Sequence, residues 1–386
     1  MNPLEHHIRE QIRVRGPVRF VDFMEQALYH PEYGYYSNPQ RPIGREGDFY
    51  TNVSVGSLFG QLIGQQFAEM WEHLGRPSPF VIVEQGAHTG QFCADVLGWM
   101  AQFSPELFAA TTYLFLEPKP HYQQKQRETV TARGIDAGKL LWADDWTQVE
   151  DGSVTGVVFS NELLDAMPVH RVQYKVDSWH EQYVNFEHNK FVFENGPISD
   201  PALVETIRHL PTMHIQRYTS EINLNMGHWI RNVGRALSRG FVFTIDYGYP
   251  ASLYYNGSRV DGTLTCYYKH KRRYNPLDLV GEQDITAHVD FTALERYGNE
   301  AGLAKAGYTD QHHFMVGIAH DDLAGFESHT PESLGMTQDQ HRKMIRAFKT
   351  LMHPEIMGST FKYFVQMKGF DSVPFLSGWQ FARKEE

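Results

Sequence analysis

The chain predicts an α/β fold on a largely parallel sheet. Short apolar runs alternate with amphipathic helical stretches from residue 80 onward, most runs are followed closely by an acid, and no apolar run approaches the length that spans a bilayer. In order the runs are Phe80-Val-Ile-Val83, Thr112-Tyr-Leu-Phe-Leu116, Lys139-Leu-Leu-Trp142, Gly156-Val-Val-Phe159 and Phe241-Val-Phe-Thr-Ile245. Between the first two, Phe92, Val96, Leu97, Met100 and Phe103 fall on one face of a helix. A late stretch, Thr360-Phe-Lys-Tyr-Phe-Val-Gln-Met367, is expected to close the sheet.

Residues 1–75 read as an N-terminal helical segment with a lid loop, and 76–386 as the main domain, with insertions at about 170–215 and 250–315. In the first part Phe20, Phe23, Met24 and Leu28 recur at helical spacing and His30-Pro31 stops the run. An aromatic loop, Pro31-Glu-Tyr-Gly-Tyr-Tyr36, leads to Gly47-Asp-Phe-Tyr-Thr51 and then to a second helix over 54–74. Gly56, Gly60 and Gly64 share one face of that helix, which suits close packing on another soluble helix and also offers a surface for a homodimer. The first insertion is a β-meander over 171–194 with turns at Asp177-Ser178 and His188-Asn189. A helix is expected from around Ser220, ended by Gly240, and residues 250–315 are expected to be loop-rich.

Composition narrows the function. The formal net charge of −11 argues against a nucleic-acid partner, because phosphate binding relies on Lys and Arg. The basic cluster Lys269-His-Lys-Arg-Arg273 reads as a solvated loop in such a chain. With Cys93 and Cys266 as the two cysteines, a disulfide framework and a CxxC zinc site are excluded. The pairs His6-His7 and His312-His313 lack metal-ligand spacing, so no metal is expected. The first twenty residues carry acids and bases with no apolar core of signal-peptide length, and no membrane partner is expected. The expected location is the cytoplasm.

The turn after the first strand, Glu84-Gln-Gly86-Ala-His-Thr-Gly90, separates the cofactor classes. A dinucleotide fingerprint has glycine where this chain has His88, and no Lys-Ser/Thr follows Gly90, so pyrophosphate binding is disfavoured. An acid closing the strand, a G-x-x-x-G turn and a second acid about thirty residues later suit S-adenosylmethionine. Gly86 and Gly90 then admit the amino-acid moiety to the backbone, Glu117 accepts from both ribose hydroxyls, and Asp144 reaches the adenine amino group. Glu84, Glu117, Asp144, Glu162 and Asp246 together form an acidic set at the carboxyl ends of the strands, where open α/β sheets bind ligands.

Six blocks occur in order: Gly47-Asp-Phe-Tyr-Thr51, Val83-Glu-Gln-Gly86, Ser160-Asn-Glu-Leu-Leu-Asp-Ala-Met-Pro-Val169, Ile245-Asp-Tyr-Gly248, Gly262-Thr-Leu264 and Asp284-Ile-Thr-Ala-His-Val-Asp-Phe291. Together they resemble the MidA-like family of S-adenosylmethionine-dependent methyltransferases, over nearly the whole chain. The resemblance departs at His88, where the family usually has glycine. It implies a seven-stranded, Rossmann-like class I methyltransferase sheet with a reversed final strand. The family includes a protein arginine methyltransferase, so a protein substrate is the implied partner.

For an arginine acceptor, Glu162 and Asp165 are the expected carboxylate clamp with Asp246 nearby, and Asn161 orients cofactor or backbone. Asp48 with Thr51 is expected in a loop over the cofactor or acceptor, the plainer alternative for Asp48 being a helix cap. His288 beside Asp290 reads as a base and its orienter, or as an ordinary loop histidine. The competing readings are a small-molecule O- or N-methyltransferase and a non-catalytic assembly factor that retains the fold.

Overall fold

A computed structural model describes residues 2–37, 52–210, 215–320, 337–353 and 358–382. Two compact units emerge, each assembled from separated segments. One comprises Thr51–Leu163, Ile230–Tyr247 and Glu295–Glu386; the other comprises Met1–Tyr50, Leu164–Trp229 and Gly248–Leu294.

The first of these, the sheet unit, carries strands β1 (Phe80–Gln85), β2 (Thr111–Leu116), β3 (Leu140–Ala143), β4 (Val154–Asn161), β5 (Leu237–Tyr249), β6 (Ala304–Asp310) and β7 (Phe361–Lys368). Their order is β3-β2-β1-β4-β5-β7-β6. The first five run parallel, and β7 is antiparallel to both β5 and β6. The expected reversed strand is therefore Phe361–Lys368. A two-residue strand, Val289–Asp290, pairs with Gly248 and Tyr249 at the end of β5 and brings the sheet to eight strands. The order changes direction between β1 and β4, and the crevice beyond their carboxyl ends is the position where this architecture takes ligands.

Aromatic packing fixes the central strands. Phe159 of β4 stacks on Phe92 at 4.4 Å, and Phe67 meets Phe159 edge-on at 5.7 Å. Helix Ser57–His73 lies against helix Gln91–Phe103, where Gly60 faces Asp95 and Gly64 faces the Trp99 ring. At Gly60 and Gly64 the glycine face thus packs closely on another helix of the chain, the packing its spacing suits.

Three expectations from the sequence need correction. Gly240 does not end a helix. It lies inside β5 at φ +151°, its Cα against the Gly156 backbone, while Gly156, at φ +152°, abuts Val81. Residue 220 lies in a strand, Tyr218–Ile222; the helix is Leu224–Ala236, with Asn223 capping it through a 2.9 Å bond from the Met226 N–H. The region 250–315 also contributes β6, which has no continuous apolar run because, among the described residues, it is an edge strand paired with β7 alone.

In the second unit, helices Pro3–Arg15 and Phe20–Tyr29 supply Leu4, Ile8, Phe20, Phe23 and Leu28 to a core shared with Val184, Cys266 and Ile285. The meander is strands His170–Lys175, Ser178–Glu187 and Lys190–Gly196. Its first turn is one residue earlier than expected. Val176 and Asp177 (φ +52° and +61°) form it, and His188 and Asn189 (φ +48° and +62°) form the second. The cluster at 269–273 is an exposed hairpin tip in which Arg273 pairs with Asp278.

Because a Cβ on Gly156 would run into the Val81 backbone, Gly156→Ala is expected to cost about 3 kcal/mol or more of stability. An unchanged urea midpoint would contradict the packing described for β1 and β4.

Candidate active site at the ends of the sheet strands

The turn after β1 is built on left-handed backbone: φ is +86° at Gly86, +45° at His88 and +78° at Gly90. Glycine is required at the last position for a second reason. A Cβ there would lie 3.0 Å from the Cα of Gln126. Gln126, buried on helix Pro120–Thr131, donates to the His88 carbonyl at 3.0 Å and to Glu117 at 3.4 Å and accepts from Trp142 at 2.9 Å. It braces the turn and the acid together. The polar pattern of its helix held no signal for it. His88, the departure noted above, takes the left-handed position despite its Cβ; its ring lies 5.2 Å from Tyr122, and burial lowers its pKa to about 4, so it is neutral near pH 7.

Glu117 follows β2 and accepts from the Lys119 N–H at 3.0 Å; burial raises its pKa. Gln123 links it to the third strand, donating to the Glu117 carbonyl at 2.7 Å and to exposed Asp144 at 3.3 Å. The structure thus brings Gly90, Glu117 and Asp144 into one neighbourhood.

Glu84 is a correction to the expected acidic rim. It lies on the same face of β1 as Phe80 and Ile82 and points into the layer beneath helix Gln91–Phe103, where the Tyr113 hydroxyl donates to it at 2.7 Å. Burial raises its pKa to about 8, so it is a neutral acid near pH 7 that supports the turn from inside.

The end of β4 also turns through left-handed backbone. Glu162 adopts φ +52°, fixed by a 2.9 Å bond from its N–H to the Ile245 carbonyl. Buried Asp246 accepts from the N–H groups of Leu163 at 3.2 Å and Tyr247 at 2.8 Å, so its carboxylate holds this bend. The Glu162 carboxyl accepts from Asn161 Nδ2 at 3.1 Å and from the Tyr247 hydroxyl at 3.4 Å. Burial first, and the neighbouring Asp246 charge second, raise its pKa to about 8. The backbone N–H of Asn52 also donates to it.

Other expected site residues lie in the second unit. Asp165 is buried among Tyr29, Tyr36 and Asp284, with the Tyr36 hydroxyl 2.8 Å from Asp284. Glu162's acidic neighbour is Asp246. His288 has its N–H on Thr263 Oγ1 at 3.1 Å and its ring 5.3 Å from Tyr249, while Asp290 caps a helix through the Ala293 N–H at 3.0 Å. The Gly262-Thr-Leu264 block has a packing role. Buried Glu221 accepts from Thr263 N and Oγ1 at 2.7 and 2.9 Å, leaving no room for a Cβ on Gly262. Asp48 and Thr51 lie outside the described residues.

The sheet unit's donor set fits an adenosyl cofactor. It has a left-handed glycine turn after β1, a carboxylate after β2 and a second acid after β3, and no phosphate-binding Lys in the turn. These features define a class I methyltransferase. A family model described as "Putative S-adenosyl-L-methionine-dependent methyltransferase" matches residues 62–309, and the chain belongs to this family of S-adenosylmethionine-dependent enzymes. It is 26% identical to the rat protein named protein arginine methyltransferase NDUFAF7, mitochondrial, over 94% of this chain and 84% of the relative. To the Drosophila melanogaster homologue of that name it is 27% identical, over 95% and 85%. A crystal structure of a COG1565 superfamily member from Burkholderia thailandensis bound to S-adenosyl-homocysteine superposes with a TM-score of 0.86 at 29% identity, covering 98% of this chain and 95% of that one.

Glu84 has a consequence for stability. Its folded pKa of about 8 exceeds the ordinary 4.5, so its contribution is fully present below about pH 4.5 and is lost as pH rises to about 8. Glu84→Gln, which keeps an acceptor for Tyr113, should flatten the fall in unfolding free energy between pH 5 and 8 by about 1 kcal/mol per pH unit. Urea midpoints at several pH values measure this, and parallel curves for variant and wild type would contradict it.

Proposed function

We propose that this methyltransferase modifies an arginine side chain of a protein, with Glu162 and Asp246 receiving the guanidinium. The carrying observation is the buried acid pair at the end of β4, where Glu162 keeps its proton to about pH 8 beside a second carboxyl. An entering cation displaces that proton and leaves a carboxylate facing it, which is the partner a guanidinium takes. The names of the mitochondrial relatives support an arginine acceptor by analogy.

When bound, S-adenosylmethionine supplies an electrophilic methyl group. The Gly86–Gly90 turn is the proposed seat of its amino-acid moiety, Glu117 the acceptor for its ribose hydroxyls and Asp144 the partner of its adenine amino group. Gln126 keeps Glu117 and the turn in register. Asn161 fixes the Glu162 carboxyl, and the left-handed bend aims it. Methylating a protonated guanidinium releases one proton overall, and Glu162 and Asp246 are the acceptors proposed for it. Free Cys93 and Cys266 suit a reducing compartment, and we place the protein in the cytoplasm; the mitochondrial address is stated for the relatives. No described helix is long and apolar enough to cross a membrane.

Incubating the protein with labelled S-adenosylmethionine and proteome from a source strain lacking it should place label on arginine. Glu162→Gln should cut incorporation by about 10²-fold or more while S-adenosylhomocysteine affinity stays within a few-fold. Label found only in small metabolites would refute the protein-acceptor reading.

A further inference from the structure

The Glu162 carboxyl is approached by two asparagines from distant parts of the sheet unit, and both have polar atoms left over. Asn52 opens the short turn Asn52–Val55 and is fully buried. Its backbone N–H serves Glu162, yet neither Nδ2 nor Oδ1 of its side chain has a partner. Asn161 commits Nδ2 to Glu162 at 3.1 Å and leaves its own buried Oδ1 unpartnered.

An orphaned buried polar atom has given up its hydrogen bonds to water without replacement and destabilises the fold. Three such atoms belong to the two asparagines that donate to this carboxyl. Gln126 uses its amide on three partners, whereas buried Gln366, remote from any carboxyl bond, also leaves both amide atoms unpartnered, so it is the Glu162 carboxyl beside Asn52 and Asn161 that gives their free atoms a ligand chemistry. The burden is relieved when a ligand arrives with the complementary groups. Two free amide oxygens beside a carboxylate call for a cation with several N–H donors, and a guanidinium presents five in a planar fork. The remaining group, Asn52 Nδ2, is a donor and calls for an acceptor, which a peptide carbonyl supplies.

We propose that Asn52 is an acceptor-orienting residue, its side-chain amide, with Asn161 Oδ1, binding the peptide-borne guanidinium that Glu162 receives. This rests on the arginine reading given above. The amide is carried in the free protein at the expense of stability and is satisfied in the complex. Its position directly after the Gly47-Asp-Phe-Tyr-Thr51 block is the only hint of this in the sequence.

Asn52→Leu, close in size and without polar atoms, separates this role from a structural one. Three quantities are read: melting temperature, S-adenosylhomocysteine affinity by calorimetry, and the kinetics of labelled methyl incorporation. The expected result is a rise in melting temperature of about 2 °C, cofactor affinity within threefold of wild type, and incorporation at least tenfold lower, mainly through acceptor KM. A fall in melting temperature, unchanged incorporation, or a loss located in cofactor affinity would each overturn the proposal. If Asn52→Leu does not fold, Asn52→Ala carries the incorporation and cofactor measurements with the same criteria. Label on a residue other than arginine refutes the arginine reading alone, and the ratio of variant to wild-type incorporation then still decides the role of Asn52. A wild-type protein that labels nothing refutes both.

Discussion

The site depends on the way Asp246 holds the chain at the end of β4. Its carboxylate takes the N–H groups of Leu163 and Tyr247, and this keeps Glu162 in a left-handed conformation that a glutamate does not adopt freely. The same proximity makes the two carboxyls compete for charge. Burial raises the Glu162 pKa, the neighbouring Asp246 charge raises it further, and the hydrogen bonds from Asn161, Asn52 and Tyr247 offset this only in part. The end of β4 therefore carries a buried carboxyl held to a raised pKa beside a second carboxyl that fixes the bend.

The two strained segments, at the ends of β1 and β4, are supported differently. Gln126 holds the β1 turn from the side of helix Pro120–Thr131, and the Glu84–Tyr113 bond supports it from beneath. The β4 bend is held by a strand neighbour, through Ile245 and Asp246 of β5. Both strands reach these positions only because Gly156 allows β4 to lie against Val81 of β1 and Gly240 allows β5 to lie against Gly156. The paired glycines and the chemistry at the strand ends are parts of one constraint.

Much of this was legible in the sequence because apolar runs announce buried parallel strands. All five runs became strands, and the late run around Phe361 became the reversed one. The edge strand Ala304–Asp310 escaped notice because half of it faces away from the core. The left-handed turn after β1 was legible from its glycines, and the places of Glu117 and Asp144 after β2 and β3 from the apolar runs before them. Glu84 was misjudged because an acid at the end of a strand looks the same whether its face is inward or outward; only the alternation with Phe80 and Ile82 distinguished the two. Gln126 was invisible, since burial of an amide leaves no periodic trace, and Asn52 was marked only by its place after the Gly47-Asp-Phe-Tyr-Thr51 block. Gly262 was visible as part of a motif, but its reason, the Glu221 carboxylate beside it, is a long-range contact that no local pattern encodes.

The central claim is that Glu162 is a protonated acid awaiting a cation, and its own titration tests this most directly. Carbon-13 NMR of labelled glutamate carboxyls, with the Glu162 resonance identified by its absence from the Gln variant, should give a pKa of about 8 in the free protein. Adding an arginine-containing acceptor peptide at neutral pH should shift that resonance to the ionised position. A carboxyl already ionised at pH 6, or one that stays protonated when the peptide binds, would contradict the account.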